Sequence, residues 1–354
     1  MSSSVAPTVV SVRRIPALDG LRAVSIGLVL VGHLAGTPHF ASLSSLAVFG
    51  DIGNLGVTIF FVISGFLITN LLLQEQADTG RIRLRAFYTR RAFRILPAAF
   101  TYFFALALAT ISMSAVRVSA ADWTHALTFT MNYHQTRSWW LGHLWSLSVE
   151  EQFYLLWPAA IVFFGRRHSL WLAASAVAFA PFWRLAVWWI WPDARDGIGE
   201  TFPTVMDAIA VGCVLAGCAG WLAQQTWYRR LIASPLFFIV PALVLICNAL
   251  DAHPAFFLSI GMTLRSLGIA AILHRSILRS RDRDLTATLL DAPPVPFIGR
   301  ISYSLYLWQQ PFLNRHSAVP LAFPLNIVCA FMCALVSFKC VETPAMRVRA
   351  RLGV

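Results

Sequence analysis

Lysine is almost missing from this chain: Lys339 is the only one among 28 basic residues, and all charged residues together make up 12% of the sequence. A soluble protein carries about twice that share, so there are too few charges to coat a water-facing globule. No two cysteines have C-x-x-C spacing; Cys213, Cys218, Cys247, Cys329, Cys333 and Cys340 lie in or beside apolar runs. That pattern indicates neither a zinc site nor a disulfide framework, and leaves the thiols as small buried hydrophobes. Also lacking are a repeat at the periods of solenoid folds and any long polar stretch resembling an appended soluble domain.

What the chain has in excess is apolar surface. Of its 354 residues 58% are hydrophobic and thirteen are tryptophan, with a mean hydropathy of +0.66. The apolar runs are long enough for a helix to cross a hydrocarbon core of about 30 Å, and none shows the alternation of outer-membrane strands. An all-α polytopic bundle of about ten spans is expected, at 18–36, 52–73, 95–114, 143–164, 169–190, 204–222, 232–250, 255–274, 298–315 and 321–341. The net charge of +12 sits mainly on arginines in short loops between those runs, where it sets orientation and calls for no nucleic-acid partner. With the N-terminus in the cytoplasm, 21 arginines fall on the cytoplasmic side and only Arg117, Arg137, Arg195 and Arg315 fall opposite. The asymmetry predicts an even number of spans with both termini cytoplasmic. Residues 1–15 then form a cytoplasmic tail, 16–346 the membrane domain and 347–354 a basic cytoplasmic tail. Arg13 and Arg14 before an apolar run resemble a signal peptide, but without a clear small-residue cleavage site the run reads as a retained first helix.

Two connections are unusual. The stretch RIRLRAFYTRRAFRILP (81–97) is basic with interspersed apolar positions, which predicts an amphipathic helix lying along the membrane. On the outer side, 122–145 is long, polar and aromatic; Trp139, Trp140 and Trp145 read there as interface anchors.

Ionisable residues inside spans are expensive, each costing about 2.5–3.5 kcal/mol at mid-bilayer on the lenient scale, so the few present are candidates for function. In LDGLRAVSIGLVLVGHL (18–34), Arg22 and His33 are eleven positions apart. At 100° per residue they differ by about 20° around the helix and by about 16 Å along it. They form one polar stripe from a helix end to mid-membrane. A snorkelling anchor also accounts for Arg22, and an interhelical hydrogen bond for His33. Glu150 and Glu151 in LWSLSVEEQFYLLWP (144–158) cannot share a helix face. One of them can point into a cavity and hold His33 in a productive tautomer or accept a proton, or the pair can serve structural partners such as Arg184 or Arg265. In TRRAFR (89–94), Arg91 and Arg94 are helix neighbours able to hold a phosphate bidentately, although positive-inside bias explains the same cluster. Asp207, Arg184, Arg265 and Lys339 are expected to pair among themselves.

Six stretches in order, LDGLRAVSIGLVLVGHL (18–34), FFVISGFLIT (60–69), RRAFRILP (90–97), LWSLSVEEQFYLLWP (144–158), ISYSLYLWQQP (301–311) and VETP (341–344), resemble the membrane acyltransferase 3 family. That family includes O-acetylases of bacterial surface and secreted glycans and of some macrolides. The resemblance implies transfer of an acyl group, most often acetyl from acetyl-CoA, to a carbohydrate or glycosylated acceptor at the bacterial cytoplasmic membrane, without a metal. Its Arg, ten residues, His pattern falls on Arg22 and His33; its Arg-x-x-Arg pattern falls on Arg91 and Arg94, beside Arg90. Glu150 and Glu151 match its acidic pair, and Ser64, Tyr303, Ser304 and Tyr306 match polar positions of its helices. The implied roles are His33, Arg22 and Glu150 in catalysis and Arg90, Arg91 and Arg94 on acyl-CoA phosphates. Where many relatives carry a late histidine this chain has Gln309, so the resemblance gives that helix no proton-transfer role. A transporter or flippase is the rival class; it predicts paired broken helices in related halves, and no such symmetry is visible.

Overall fold

In lipid a backbone must satisfy its own hydrogen bonds, and apolar runs of this length do so as helices. The computed structural model describes residues 16–279, 285–317 and 320–353, and among these every regular element is helical. Arg13, Arg14, Arg281, Arg283 and the 1–15 tail lie outside the described residues. The principal helices are α1 (Pro16–Leu34), α2 (Ile52–Thr79), α3 (Leu84–Ser112), α4 (Leu144–Ile190), α5 (Phe202–Gln224), α6 (Ile239–Ala249), α7 (Met262–Leu278), α8 (Pro294–Phe312), α9 (Leu325–Ser337) and α10 (Thr343–Arg351). Eight helical segments among the described residues are long and apolar enough to cross a membrane, which makes this a multi-pass membrane protein.

The difference between eight segments and ten expected runs has two local causes. Runs 143–164 and 169–190 both lie in α4, whose 47 residues would measure about 70 Å if straight. The helix is broken at Gly165, with φ 72° and ψ 165°, a conformation open to glycine alone. Ser169 Oγ then donates to the Ala160 carbonyl at 3.0 Å, two residues that a straight helix would hold about 13 Å apart. The chain therefore doubles back there. Run 298–315 corresponds to α8, whose serines, tyrosines and glutamines keep it outside the strongly apolar set.

The amphipathic surface helix expected over 81–97 is not found. Residues 84–112 are one continuous helix, with Pro97 inside it, so the arginine cluster stands on the first turns of a membrane helix. Its basic face is turned to a cavity rather than to a headgroup layer, and the sequence pattern of those two environments is the same.

Helix α1 packs between α2 and α8, and α2 crosses α5. At that last crossing a Cβ on Gly65 would lie 2.0 Å from the Ile209 carbonyl oxygen, and one on Gly212 would lie 2.2 Å from that of Val62; small residues let the two backbones touch. Behind it the fully buried Arg184 donates to Asp207 Oδ2 at 3.0 Å, Thr263 Oγ1 at 2.8 Å and the carbonyls of Thr204 and Leu258. This is the intramembrane pairing expected for Arg184 and Asp207. Arg265 departs from it, donating to Asn248 Oδ1 at 2.7 Å and Thr58 Oγ1 at 2.9 Å. Lys339 is exposed, in a π-helical turn, Phe338–Glu342.

Candidate active site

Two cavities enter the bundle from opposite ends. The first, about 920 Å³, opens where α1 and α3 begin and α2 ends. Arg22, Arg83, Arg90, Arg91, Arg94 and Arg349 line it, against Glu75, Asp78 and Glu150. Arg90 is tied to Glu75 at 3.0 Å, whereas Arg91 lies over the rings of Tyr154 and Phe87, 5.2 and 5.6 Å from their centroids. Deeper in, Arg22 Nη2 donates to Ser302 Oγ at 3.1 Å. Ser64 Oγ donates to Glu150 Oε1 at 2.6 Å and accepts from Tyr154 at 3.2 Å.

The second cavity, about 940 Å³, holds His33, His143 and His316 with Trp139, Trp145, Asp51, Asp251, Gln310, Arg137, Glu200 and Arg315. Arg137 and Glu200 form an ion pair in its wall. His33 Nδ1 lies 2.7 Å from Gln309 Oε1, and the imidazole meets the Trp139 ring edge-on at 5.5 Å. Arg315 lies over the same indole, 5.6 Å from its centroid. Among the described residues, the two cavities have only Val57 and Tyr306 in common in their linings. Tyr306 is held there by its hydroxyl, which donates to the His143 carbonyl at 2.6 Å and lies 2.5 Å from Ser146 Oγ.

The connection between α3 and α4 positions the second cavity. Asp122 Oδ2 accepts from the Ser119 amide at 2.9 Å and hydroxyl at 2.8 Å, Asp122 Oδ1 from the Ser138 amide at 2.9 Å, and His134 lies 3.2 Å away. Burial pushes this carboxyl up, but the hydrogen bonds from Ser138 and Ser119 outweigh it and leave Asp122 below its ordinary value.

These contacts redistribute the residues singled out in the sequence. Arg22 and His33 do share one helix face, yet they line different cavities. Glu150 faces the arginine cavity, and Glu151, with an Oε1 buried against no polar partner, lines neither. Of the roles open to the acidic pair, orienting His33 falls to neither carboxylate: the imidazole meets the amide of Gln309. Trp139 and Trp145 are cavity walls rather than interface anchors. Ser304 donates to Glu342 of the closing motif and Tyr303 to the Ile95 carbonyl at 2.9 Å, so both join helices. Ser302, Tyr154, His143, Gln309 and Gln310 were not singled out as site residues; only the late polar run of α8 hinted at three of them.

With this geometry in hand, the comparisons with known proteins are specific. Residues 15–337 match the profile of the acyltransferase 3 family, described as an acyltransferase domain, and the chain belongs to that family. It is similar to the O-acetyltransferase OatA of Staphylococcus aureus strain NCTC 8325, 30% identical over 94% of this chain, and to the OatA of strain MRSA252 at the same identity and coverage. The chain spans 57% of the length of each of these relatives. No solved structure gives a significant match.

Proposed function

We propose that this protein is an integral membrane O-acyltransferase that moves an acetyl group from acetyl-CoA to a hydroxyl of a carbohydrate or glycosylated acceptor. The observation that carries the reading is the meeting of an arginine-lined cavity and a histidine-bearing cavity at Val57 and Tyr306, in a chain of the acyltransferase 3 family. The name the relatives carry, O-acetyltransferase, supports an oxygen acceptor and an acetyl donor. The arginine bias supports ten crossings of the bacterial inner membrane with both termini cytoplasmic, which puts the arginine cavity on the side where acyl-CoA is made.

In this reading Arg91 and Arg94 hold CoA phosphates through charge-assisted hydrogen bonds, and Arg90, already engaged by Glu75, shapes the mouth. The thioester end of the donor reaches inward past Arg22, Ser302 and the Ser64 and Glu150 pair toward Tyr306. An acceptor hydroxyl enters from the other cavity and gives its proton to the His33 imidazole as its oxygen attacks the thioester carbonyl carbon. Collapse of the tetrahedral adduct breaks the C–S bond; the CoA sulfur leaves and takes the proton back from the imidazolium. Arg22 lies about 16 Å along α1 from His33, so its role is with the donor rather than the oxyanion formed beside His33.

The test is the purified full-length protein in lipid nanodiscs, given radiolabelled acetyl-CoA and a panel of polysaccharide and glycoside acceptors. Label should appear in base-labile ester on a glycan, dependent on His33. Full transfer by His33→Ala, or binding of acetyl-CoA with no transfer to any hydroxyl, overturns the reading.

A further inference from the structure

The side chains around His33 form a one-way chain whose direction determines where the imidazole keeps its proton. It starts at a group that cannot be turned around, the backbone carbonyl of Trp139, which accepts from Gln310 Nε2 at 2.8 Å. Reversing the Gln310 amide would set two bare oxygens against each other there, so its Oε1 must face Gln309. That oxygen accepts from Gln309 Nε2 at 3.1 Å, which fixes the second amide in turn. Gln309 is left presenting Oε1 to His33 Nδ1 at 2.7 Å. An amide oxygen has no proton to give, so the hydrogen on this bond belongs to Nδ1.

From this geometry we infer that Gln309 is a positioning residue. The Trp139 carbonyl, Gln310 and Gln309 form a polarised amide relay that holds neutral His33 with its proton on Nδ1 and a bare lone pair on Nε2. The usual ambiguity of glutamine and histidine orientation is removed because each member constrains the next. Gln309 and Gln310 are 0% and 3% exposed, so little of either amide is open to solvent. Trp139 Nε1 donates to the Gln310 backbone carbonyl at 2.9 Å, which locks both ends of the chain together.

The choice of an amide has a chemical consequence. A carboxylate at this position would raise the basicity of the imidazole and would itself be expensive in the membrane. A neutral amide accepts from Nδ1 and so selects the tautomer, and it keeps that selection wherever the ring is neutral because the amide itself does not titrate. Gln309 therefore takes the orienting part of a catalytic dyad without taking part in proton transfer.

The catalytic consequence rests on the proposed role of His33, but the tautomer can be read without it. The full-length protein labelled with ¹⁵N-histidine, in lipid nanodiscs at a pH where the imidazole is neutral, is measured by solid-state NMR. His33 is assigned from the signal lost in His33→Asn. A single form with protonated Nδ1 and bare Nε2 is expected. Gln309→Met should give a mixed or reversed tautomer and lower kcat by about tenfold to a hundredfold, at the low end of what a misdirected base costs, with the KM for acetyl-CoA unchanged. A wild-type His33 protonated on Nε2, or an unchanged tautomer in Gln309→Met, overturns the relay and leaves the base role standing. Full transfer by His33→Ala overturns the base role and leaves the relay standing.

Discussion

The two cavities are nearly equal in size, about 920 and 940 Å³, and opposite in chemistry. One sets six arginines against three carboxylates; the other sets Arg137 and Arg315 against Asp51, Glu200 and Asp251, with three imidazoles and two indoles. The first suits a ligand with several negative charges, and the second suits a neutral ligand with hydroxyls and apolar faces. The divide between them is made by Val57, Tyr306 and the groups just beyond. Those groups are a phenol, an imidazole and amides, which can be neutral and are therefore affordable in the middle of a membrane.

This contrast predicts separable failures. The largest effect belongs to His33→Ala, which should lower kcat by about 10²- to 10⁴-fold, the range of a lost general base. Its affinity for acetyl-CoA, measured by calorimetry, should stay at the wild-type value, because the proposed donor site is the other cavity. Loss of binding together with turnover would merge the two sites into one.

Next comes Arg91→Ala with Arg94→Ala. A hydrogen bond to a charged group is worth about 1.5–3 kcal/mol, so the pair should weaken acetyl-CoA binding by at least about tenfold to a hundredfold. The loss should shrink as salt rises, and turnover at saturating donor should change little. An unchanged dissociation constant returns the cluster to a purely topological role.

Tyr306 tests the divide itself. Tyr306→Ala should let water from one cavity reach a thioester in the other, and release of CoA without acceptor should rise by about two- to tenfold, the equivalent of one ordinary hydrogen bond's worth of barrier. Tyr306→Phe keeps the ring and should leave that leak small while losing stability from the bonds to His143 and Ser146. Unchanged CoA release in a folded Tyr306→Ala protein would mean that the ring is not the partition.

How far these sites could be read beforehand depends on the range of the interactions involved. The Arg22 and His33 stripe and the Arg91 and Arg94 pair follow from helical periodicity, which is local, and α1 and α3 display both. The all-helical bundle follows from composition. Arg184 and Asp207 could be named as costly charges needing partners, yet Thr263 and the Leu258 carbonyl, which complete their cluster, belong to a remote segment. Trp139 was misread because a tryptophan at the end of an apolar run looks the same whether it meets headgroups or a cavity. Its actual partner, Gln310, is 171 positions away, and no spacing rule reaches that far. The basic stretch 81–97 reads as a surface helix for a similar reason, since a cavity mouth and a membrane surface both ask for arginine beside apolar residues.

The smallest effect on turnover lies in the connection between α3 and α4, and it reaches the second cavity alone. Asp122 holds the Ser138 amide, one residue before the carbonyl that begins the Gln310 and Gln309 relay. Its carboxyl sits below the ordinary 3.8. A depressed carboxyl contributes stability that is complete above the unfolded value and is lost as pH falls through the folded one. Acid should therefore loosen 119–139 only below about pH 4, where the carboxyl finally takes a proton, and neutral pH should show nothing. Hydrogen exchange, corrected for the intrinsic pH dependence of amide rates, should show the Ser119 and Ser138 amides opening in that window while the Arg91 end of the bundle stays protected. Asp122→Asn should produce the same local opening already at pH 7, with exchange faster by about tenfold for the loss of one charge-assisted bond. Equal loosening at both ends of the bundle would show that acid unfolds the whole protein, and that Asp122 does not separately secure the histidine cavity.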